Sequence, residues 1–417
     1  MSLHHKIYKL LRRSEKYTKT DMVYLAKGGF WLTINQIISI SSAFLLSIAL
    51  ANLLPKEIYG QYKYIISIFS ILAISTLPGM DTAVTRSIAQ GNEGSFKQAL
   101  KTKMKWGLLG ALVSLCFAIY YFVNQNNTLA GSFAIVAFAL PTVDSWALYT
   151  SYFNGKKLFN KLAKYAGTLK IISTFTIISV VYLSDNIFWL LLAFFVPFIV
   201  IRLIYLFIIK NKYKPNKNID SQTIKYGKHL SFVGVLGSIA MQIDKVLIFH
   251  YIGAAELAIY SLAISPLEQI KSLTKPLLQT MAIPKFANQE KSVIRKTLIK
   301  KIAKLSLLLG LITILYIWLA PYLFQILFPK YMESVFYSRI FAISLVTLPL
   351  LTIISAFQAK KMIKEIYIFK IISGISQIVV TYLSIITMGV LGAVLARVIS
   401  RFINLFLSIF LLKKSKD

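Results

Sequence analysis

Between residues 29 and 412 the sequence returns repeatedly to mostly apolar runs of about twenty residues or more, the length a helix needs to cross a bilayer core of roughly 30 Å. Twelve such runs can be marked, at roughly 29–53, 59–79, 104–123, 129–152, 166–184, 187–209, 230–252, 256–282, 303–328, 336–358, 366–387 and 390–412. In hydrocarbon a backbone must satisfy its own polar groups, so these runs read as transmembrane helices. The expected fold is an all-α integral membrane protein with twelve spans. An even number puts both termini on one side.

Lys and Arg number 47 against 15 Asp and Glu, a formal charge of +32. The bases concentrate in alternate connections: the N-terminus, the loop carrying Arg86, Lys97, Lys101, Lys103 and Lys105, then KKLFNKLAK, KNKYKPNKN, KSVIRKTLIKKIAK, KKMIK and the tail KKSK. The opposite loops, such as NQNNT and SDN, are nearly free of them. The positive-inside rule therefore places both termini in the cytoplasm, and the chain is expected as a multi-pass protein of the cytoplasmic membrane. Much of the charge is orientation signal, and nucleic acid is not an expected partner. Residues 1–24 are basic and lack the apolar core of a cleaved signal peptide. Ile7, Leu10, Leu11 and Tyr17 share a helical face there, which predicts a short helix on the lipid surface.

The single cysteine, Cys116, lies in an apolar run, and His4, His5, His229 and His250 have no HExxH spacing. The chain also lacks a GxxxxGK[ST] loop and a GxSxG elbow. No metal, cofactor, nucleotide hydrolysis or enzymatic activity is expected.

A shift of about 198 residues lays Lys27 on Lys225, Gly29 on Gly227, Tyr62 on Tyr260 and Pro78 on Pro276. The first span then falls on the seventh and the second on the eighth. Six spans between copies keep one orientation, which predicts parallel repeats with a site between them near the midplane. The expected division is an N-terminal bundle at 25–210, a basic linker at 211–228, a C-terminal bundle at 229–412 and a basic tail at 413–417.

The stretches GGFWL and ANLLPKEIYGQYKYI in the first two spans, GMDTAVTRSIA after them, and IDKVLIFHYIGAAELAIYSLA in the seventh and eighth resemble the Wzx-type polysaccharide (O-antigen) flippases of the multidrug/oligosaccharidyl-lipid/polysaccharide exporter superfamily. The likeness extends through span count and topology over nearly the whole chain, and departs from the common form at Ala258, where a glycine is frequent. It implies a V-shaped pair of six-helix bundles that carries an undecaprenyl-diphosphate-linked oligosaccharide from the cytoplasmic to the outer leaflet. Its implied partners are the lipid-linked oligosaccharide, membrane lipids, and the polysaccharide polymerase and glycosyltransferases of the same assembly.

Removing the loop charges leaves Lys63, Asp144, Asp244, Lys245, Glu268, Lys271, Arg339, Arg397 and Arg401 within spans. A charge at the bilayer centre costs at least about 2.5 kcal/mol, so such side chains are expected to face protein or a wet cavity. Glu268, Lys271 and Lys275 fall on one helical stripe, and Arg397 and Arg401 on another. Asp244 and Lys245 are adjacent and turn about 100° apart, so Lys245 is expected toward the cavity and Asp244 toward a partner. Lys63, Lys245, Lys271, Arg339, Arg397 and Arg401 are the candidate lining of a cationic cavity suited to a diphosphate: Arg donates two parallel hydrogen bonds, Lys supplies a mobile point charge. The plainer alternative is pairing inside the bundle, or snorkelling for Lys63, Lys275 and Arg339 near span ends. Asp144, Asp244 and Glu268 are candidates for taking up a coupling H⁺ or Na⁺ or for closing a gate. Glu268 holding Lys271 is the alternative for that residue. Arg86, at the cytoplasmic end of the second span, is a candidate at the entry, against the alternative of pairing with Asp81 or headgroups. Pro78, Pro141, Pro197, Pro266, Pro276, Pro321 and Pro349 predict kinks.

The function expected is a lipid-linked oligosaccharide flippase working by alternating access. One rival is a drug/cation antiporter of the same superfamily, which should line its cavity with acids. The other is a membrane-embedded glycosyltransferase or ligase, for which the outer loops are too short.

Overall fold

The computed structural model describes residues 22–287 and 289–414; the side chains of 22–27, 275–285, 287, 291–292 and 295–296 fall outside the description. The N-terminal surface helix, the Lys275 side chain and the last three residues of the basic tail lie outside it too. Among the described residues the protein is helical, with no strand.

Helix α1 (Met22–Leu53) turns at Pro55 into α2 (Lys56–Leu72), which tightens into a 3-10 turn at Ala73–Thr76. Leu77 then adopts a left-handed φ of 59° ahead of Pro78, a neighbour that disfavours right-handed helix in the residue before it. The chain leaves at 46° as α3 (Gly79–Ala89). Helices α4 (Ser95–Val123), α5 (Asn127–Trp146), α6 (Tyr149–Gly155), α7 (Phe159–Leu183) and α8 (Ile187–Ile208) complete the first half. A π-helical turn at Ile209–Tyr213 opens the basic connection. That connection closes where the Asp220 carboxylate accepts hydrogen bonds from the Gln222 backbone N–H at 3.0 Å and the Thr223 hydroxyl at 2.8 Å, which hold its carboxyl below the usual carboxylate range.

The second half comprises α9 (Thr223–Ala240), α10 (Ile243–Tyr251), α11 (Ala254–Ala287), α12 (Lys291–Leu327), α13 (Ser334–Ala342), α14 (Leu350–Ala359) and α15 (Ile363–Lys414). The 52 residues of α15 would run to about 78 Å if continuous, far beyond a bilayer. Gly389, at φ 58° and ψ −134°, breaks it between the two apolar runs marked there. Several other runs are also broken helices: 129–152 is α5 with α6, 230–252 is α9 with α10, and 336–358 is α13 with α14. Among the described residues nine helices, α15 counted once, are long and apolar enough to cross a membrane, and ten if the bent pair α2 and α3 is one span. Their outer faces carry Phe138, Leu183, Leu307 and Ile326 at 83, 81, 73 and 76% exposure, a surface that suits hydrocarbon rather than water.

The halves meet directly, α2 on α11 and α3 on α9. A Cβ on Gly60 would lie 1.7 Å from the Ala254 carbonyl oxygen, so only glycine lets those backbones touch. Nearby, Asn52 donates to the Leu327 carbonyl at 2.9 Å and Lys56 pairs with Glu333 at 3.2 Å. Tyr64 stacks on Phe249 with ring centres 3.9 Å apart. Toward the basic end, the Gly79 N–H donates to the Ser231 hydroxyl at 3.0 Å. This seam is filled with side chains, and the cavity described next lies inside the second half, away from the inter-repeat position expected from the sequence.

A candidate anion-binding site in the second half

The site starts from a helix break. Between α9 and α10 the chain leaves the helix at Met241 and Gln242, which frees carbonyls and puts Asp244 in the first turn of α10. Asp244 is 1% exposed. Its Oδ2 accepts from Arg397 Nε at 2.6 Å and from the Tyr260 hydroxyl, and its Oδ1 accepts from the Lys245 backbone N–H at 2.9 Å. A further Arg397 nitrogen donates to the Met241 carbonyl at 3.1 Å. The third donates to Glu268 Oε1, on α11, at 2.9 Å.

Arg401, one turn further along α15, donates to the same Glu268 oxygen at 2.5 Å and to the Ser344 hydroxyl at 2.7 Å. Its guanidinium lies 4.4 Å from the centre of the Phe341 ring. Lys271, three residues after Glu268, reaches it at 3.7 Å. Lys245 points away from Asp244, and its Nζ donates to Gln242 Oε1 at 2.8 Å. The adjacent pair thus diverges as the 100° turn requires, acid into the bundle and base toward open space.

That open space is a cavity of about 270 Å³ lined by Lys245, Glu268, Lys271, Arg397 and Arg401, with Gln242, Gln377 and Asn404 among its other polar walls. The Ser400 hydroxyl and the Asn404 side-chain oxygen line it buried and, among the described residues, without a hydrogen-bond partner. Four bases face it against the two acids Asp244 and Glu268, both already held by guanidinium groups. The arrangement has positive charge to spare and its donors are held in place, which is what an incoming phosphate needs. A coupling cation at Asp244 or Glu268 would have to displace a guanidinium. Among the described residues no cluster of His, Cys, Asp or Glu has the makings of a metal site.

The first half holds its charges differently. Lys103, fully buried, donates to Asp81 at 2.7 Å and lies 4.0 Å from Asp144, whose carboxylate also accepts from the Thr76 hydroxyl at 2.5 Å. Arg202 donates to the Val143 carbonyl and lies 4.7 Å from the Phe198 ring centre. Lys103 and its two acids tie α3, α4 and α5 together, and Arg202 adds α8 through the Val143 carbonyl.

Two residues expected to line the cavity are not brought to it. Lys63, half-buried on α2, sits 5.0 Å from the Tyr59 ring centre. Arg339 is exposed and donates to the Ile317 carbonyl at 3.0 Å, because its position on α13 turns it away from α15. Arg86 is exposed over Tyr226 at 5.5 Å, and Asp81 pairs with Lys103 in its place. Sequence reading missed Arg202, a lone base in FFVPFIVIRLIYLFII that an apolar-run scan should have marked. It also counted Lys103 with its loop neighbours, and only the packing of α4 separates it from Lys101 and Lys105, which are exposed.

Residues 25–290 match the family model described as a polysaccharide biosynthesis protein. No curated protein sequence matches this one. Among solved structures, a lipid II flippase MurJ in an inward closed conformation is similar with a TM-score of 0.68 at 18% identity, over 94% of this chain and 88% of that one. An outward-facing multidrug resistance MATE family transporter of the MOP superfamily gives 0.57 at 15% identity, over 94% and 97%. A MOP superfamily transporter from Pyrococcus furiosus, described as having a binding pocket of reverse polarity, gives 0.53 at 13%, over 94% and 96%. Identities this low speak for the fold.

Proposed function

The chain belongs to the polysaccharide biosynthesis protein family, and from that premise we propose that it is a flippase moving an undecaprenyl-diphosphate-linked oligosaccharide across the cytoplasmic membrane for surface polysaccharide assembly. The observation that carries this reading is the charge of the cavity: Lys245, Lys271, Arg397 and Arg401 against two acids that already hold guanidinium groups. A diphosphate entering there exchanges the Glu268 carboxylate for its own oxygens on Arg401 and Lys271, keeping the guanidinium groups satisfied. A cavity of about 270 Å³ takes the diphosphate and the first sugar. The rest of the glycan needs the seam between halves to open, and the prenyl chain stays in lipid.

In this reading twelve spans cross the membrane in two six-helix bundles with both termini cytoplasmic: the nine helices, the second segment of α15, the bent pair α2 and α3, and α11. Rocking of the bundles about the glycine contacts Gly60 to Ala254 and Gly79 to Gly227 alternates access. Of the three carboxylates expected to take a coupling cation, Asp144 is the one not held by a guanidinium, with its side chain 36% exposed. We assign the uptake of H⁺ or Na⁺ to it. Polymerase and glycosyltransferases are the functional partners on either side of the step. The drug/cation antiporter reading is disfavoured because bases outnumber acids in the cavity.

The test is transport of a fluorescent lipid-linked oligosaccharide in vesicles reconstituted with purified protein. Movement of this substrate, lost in Arg401→Ala and Lys271→Ala, is the expected result. Export of a cationic dye with no movement of the lipid-linked sugar would show the antiporter instead. Asp144→Asn should transport without responding to an imposed ion gradient.

A further inference from the structure

A second cavity, of about 670 Å³, lies in the first half at the basic end of the helices, remote from the candidate site. Its walls are the start of α4, the end of α8 and the connection at 214–219. Leu100, Leu203, Phe207 and Ile219 supply an apolar slot, and Lys97, Lys210, Lys214 and Lys217 stand at it. Leu203, Phe207 and Ile219 are 37, 53 and 56% exposed, so the slot opens outward among apolar side chains rather than into the bundle.

The lysines are carried on a fixed frame. The Gly94 N–H donates to the Asn218 carbonyl at 2.8 Å, Asn216 donates to the Gly91 carbonyl at 2.8 Å, and the Asp220 N–H donates to the Ser95 hydroxyl at 2.9 Å. Glu93, the one acid in the lining, is spent on Lys156 and the Tyr152 hydroxyl. None of the four lysines is in an ion pair among the described residues. Lys97 adds an electrostatic oddity: it sits in the first turn of a 29-residue helix that has no acidic residue there and no side-chain cap. A cation at the positive end of a helix dipole is unfavourable unless an anion lies beside it. Apolar slot, unpaired bases and helix start converge at the level where the spans end, which is where headgroups lie.

We propose that this slot binds one anionic phospholipid, its phosphate held by Lys97, Lys210, Lys214 and Lys217 and an acyl chain lying along Leu203, Phe207 and Ile219. The lipid pins the connection between the two halves to the first bundle, so the site is one at which membrane composition acts on the linker. It does not depend on the transported substrate.

The experiment uses the full chain, purified in detergent and stripped of lipid, with native mass spectrometry counting bound phosphatidylglycerol and phosphatidylcholine of matched chains. The expected result is one retained phosphatidylglycerol. The triple variant K97Q/K210Q/K214Q should weaken retention by about fivefold for each lysine, the value of a base at an anionic surface. Lys300, Lys301 and Lys304, exposed on α12, provide the control: K300Q/K301Q/K304Q removes the same charge and should leave retention within about twofold. If the triple variant fails to fold, Lys214→Gln alone reads the same fivefold step. Equal retention of phosphatidylcholine, or equal weakening by the control triple, overturns the proposal. Displacement of the lipid by millimolar inorganic phosphate shows a free-phosphate site and also overturns it. So does preferential binding of a prenyl diphosphate, which would return the slot to the substrate.

Discussion

The two halves each bury an ionic cluster, and they differ in what is left over. In the first, the fully buried Lys103 lies 2.7 Å from Asp81 and 4.0 Å from Asp144, so one base is held by two acids, and Arg202 bonds the Val143 carbonyl. In the second, Asp244 and Glu268 meet Arg397 and Arg401, and Lys245 and Lys271 add two further bases facing a cavity of about 270 Å³. The architecture is parallel in one detail: Arg202 on α8 bonds the Val143 carbonyl on α5, while Arg401 on α15 bonds Ser344 after α13. A cluster whose base is already held by two acids ties helices together and has no positive charge to spare for an anion. One with surplus positive charge and space can also receive an anion.

The largest effects should come from stranding a buried charge. Arg397→Met leaves Asp244 unpaired at 1% exposure and should destabilise by about 3–5 kcal/mol. Lys103→Met leaves Asp81 and Asp144 facing each other, but their side chains are 40 and 36% exposed, so the loss should be smaller, about 1–3 kcal/mol. Thermal unfolding of the purified protein reads both. Equal and small losses would mean that water reaches both clusters.

Removing both partners separates the halves. Lys103→Met with Asp81→Asn should restore most of the stability and leave transport near the original rate, because neutral polar packing can replace a structural pair. Arg397→Met with Asp244→Asn should likewise restore most of the stability, yet transport should stay low. If the first-half double variant also loses transport while folded, its cluster does more in the cycle than supply the gradient response assigned to Asp144, and the contrast drawn here fails.

Arg401→Ala and Lys271→Ala come next. Both leave Glu268 bonded to Arg397, so unfolding should shift by only about 1–2 kcal/mol. Transport of the lipid-linked sugar should fall at least tenfold, the value of about 1.5 kcal/mol for one charged hydrogen bond to the ligand. A loss of stability as large as that of Arg397→Met would make Arg401 structural.

The spans were legible because hydrocarbon demands about twenty apolar residues per crossing, a constraint written residue by residue. Where helices break inside a run was not: the turn at Met241 and Gln242 has no proline or glycine, and the Met241 carbonyl it frees is taken by Arg397. That donor comes from 156 residues away. Helical spacing correctly joined Glu268 to Lys271, an i,i+3 relation, whereas the bonds from Arg397 to Asp244 and from Arg401 to Glu268 cross the bundle and leave no local pattern. The same limit explains Arg339, whose residue type suited the site and whose helical phase did not.

The smallest expected effect tests the parallel between the two arginines directly. Arg202 is held by a backbone carbonyl that no substitution removes, but its counterpart Arg401 leans on the Ser344 hydroxyl at 2.7 Å. Ser344→Ala should therefore cost about 0.5–1.5 kcal/mol at most, since Glu268 and the Phe341 ring still hold the guanidinium. Stability should move little. If Arg401 serves the ligand, freeing it from Ser344 loosens its aim, and the apparent affinity for substrate should fall by about threefold to tenfold while the maximal rate holds. A change in neither quantity would mean that Arg401 is positioned by Glu268 alone, and the resemblance to the Arg202 anchor would be coincidental.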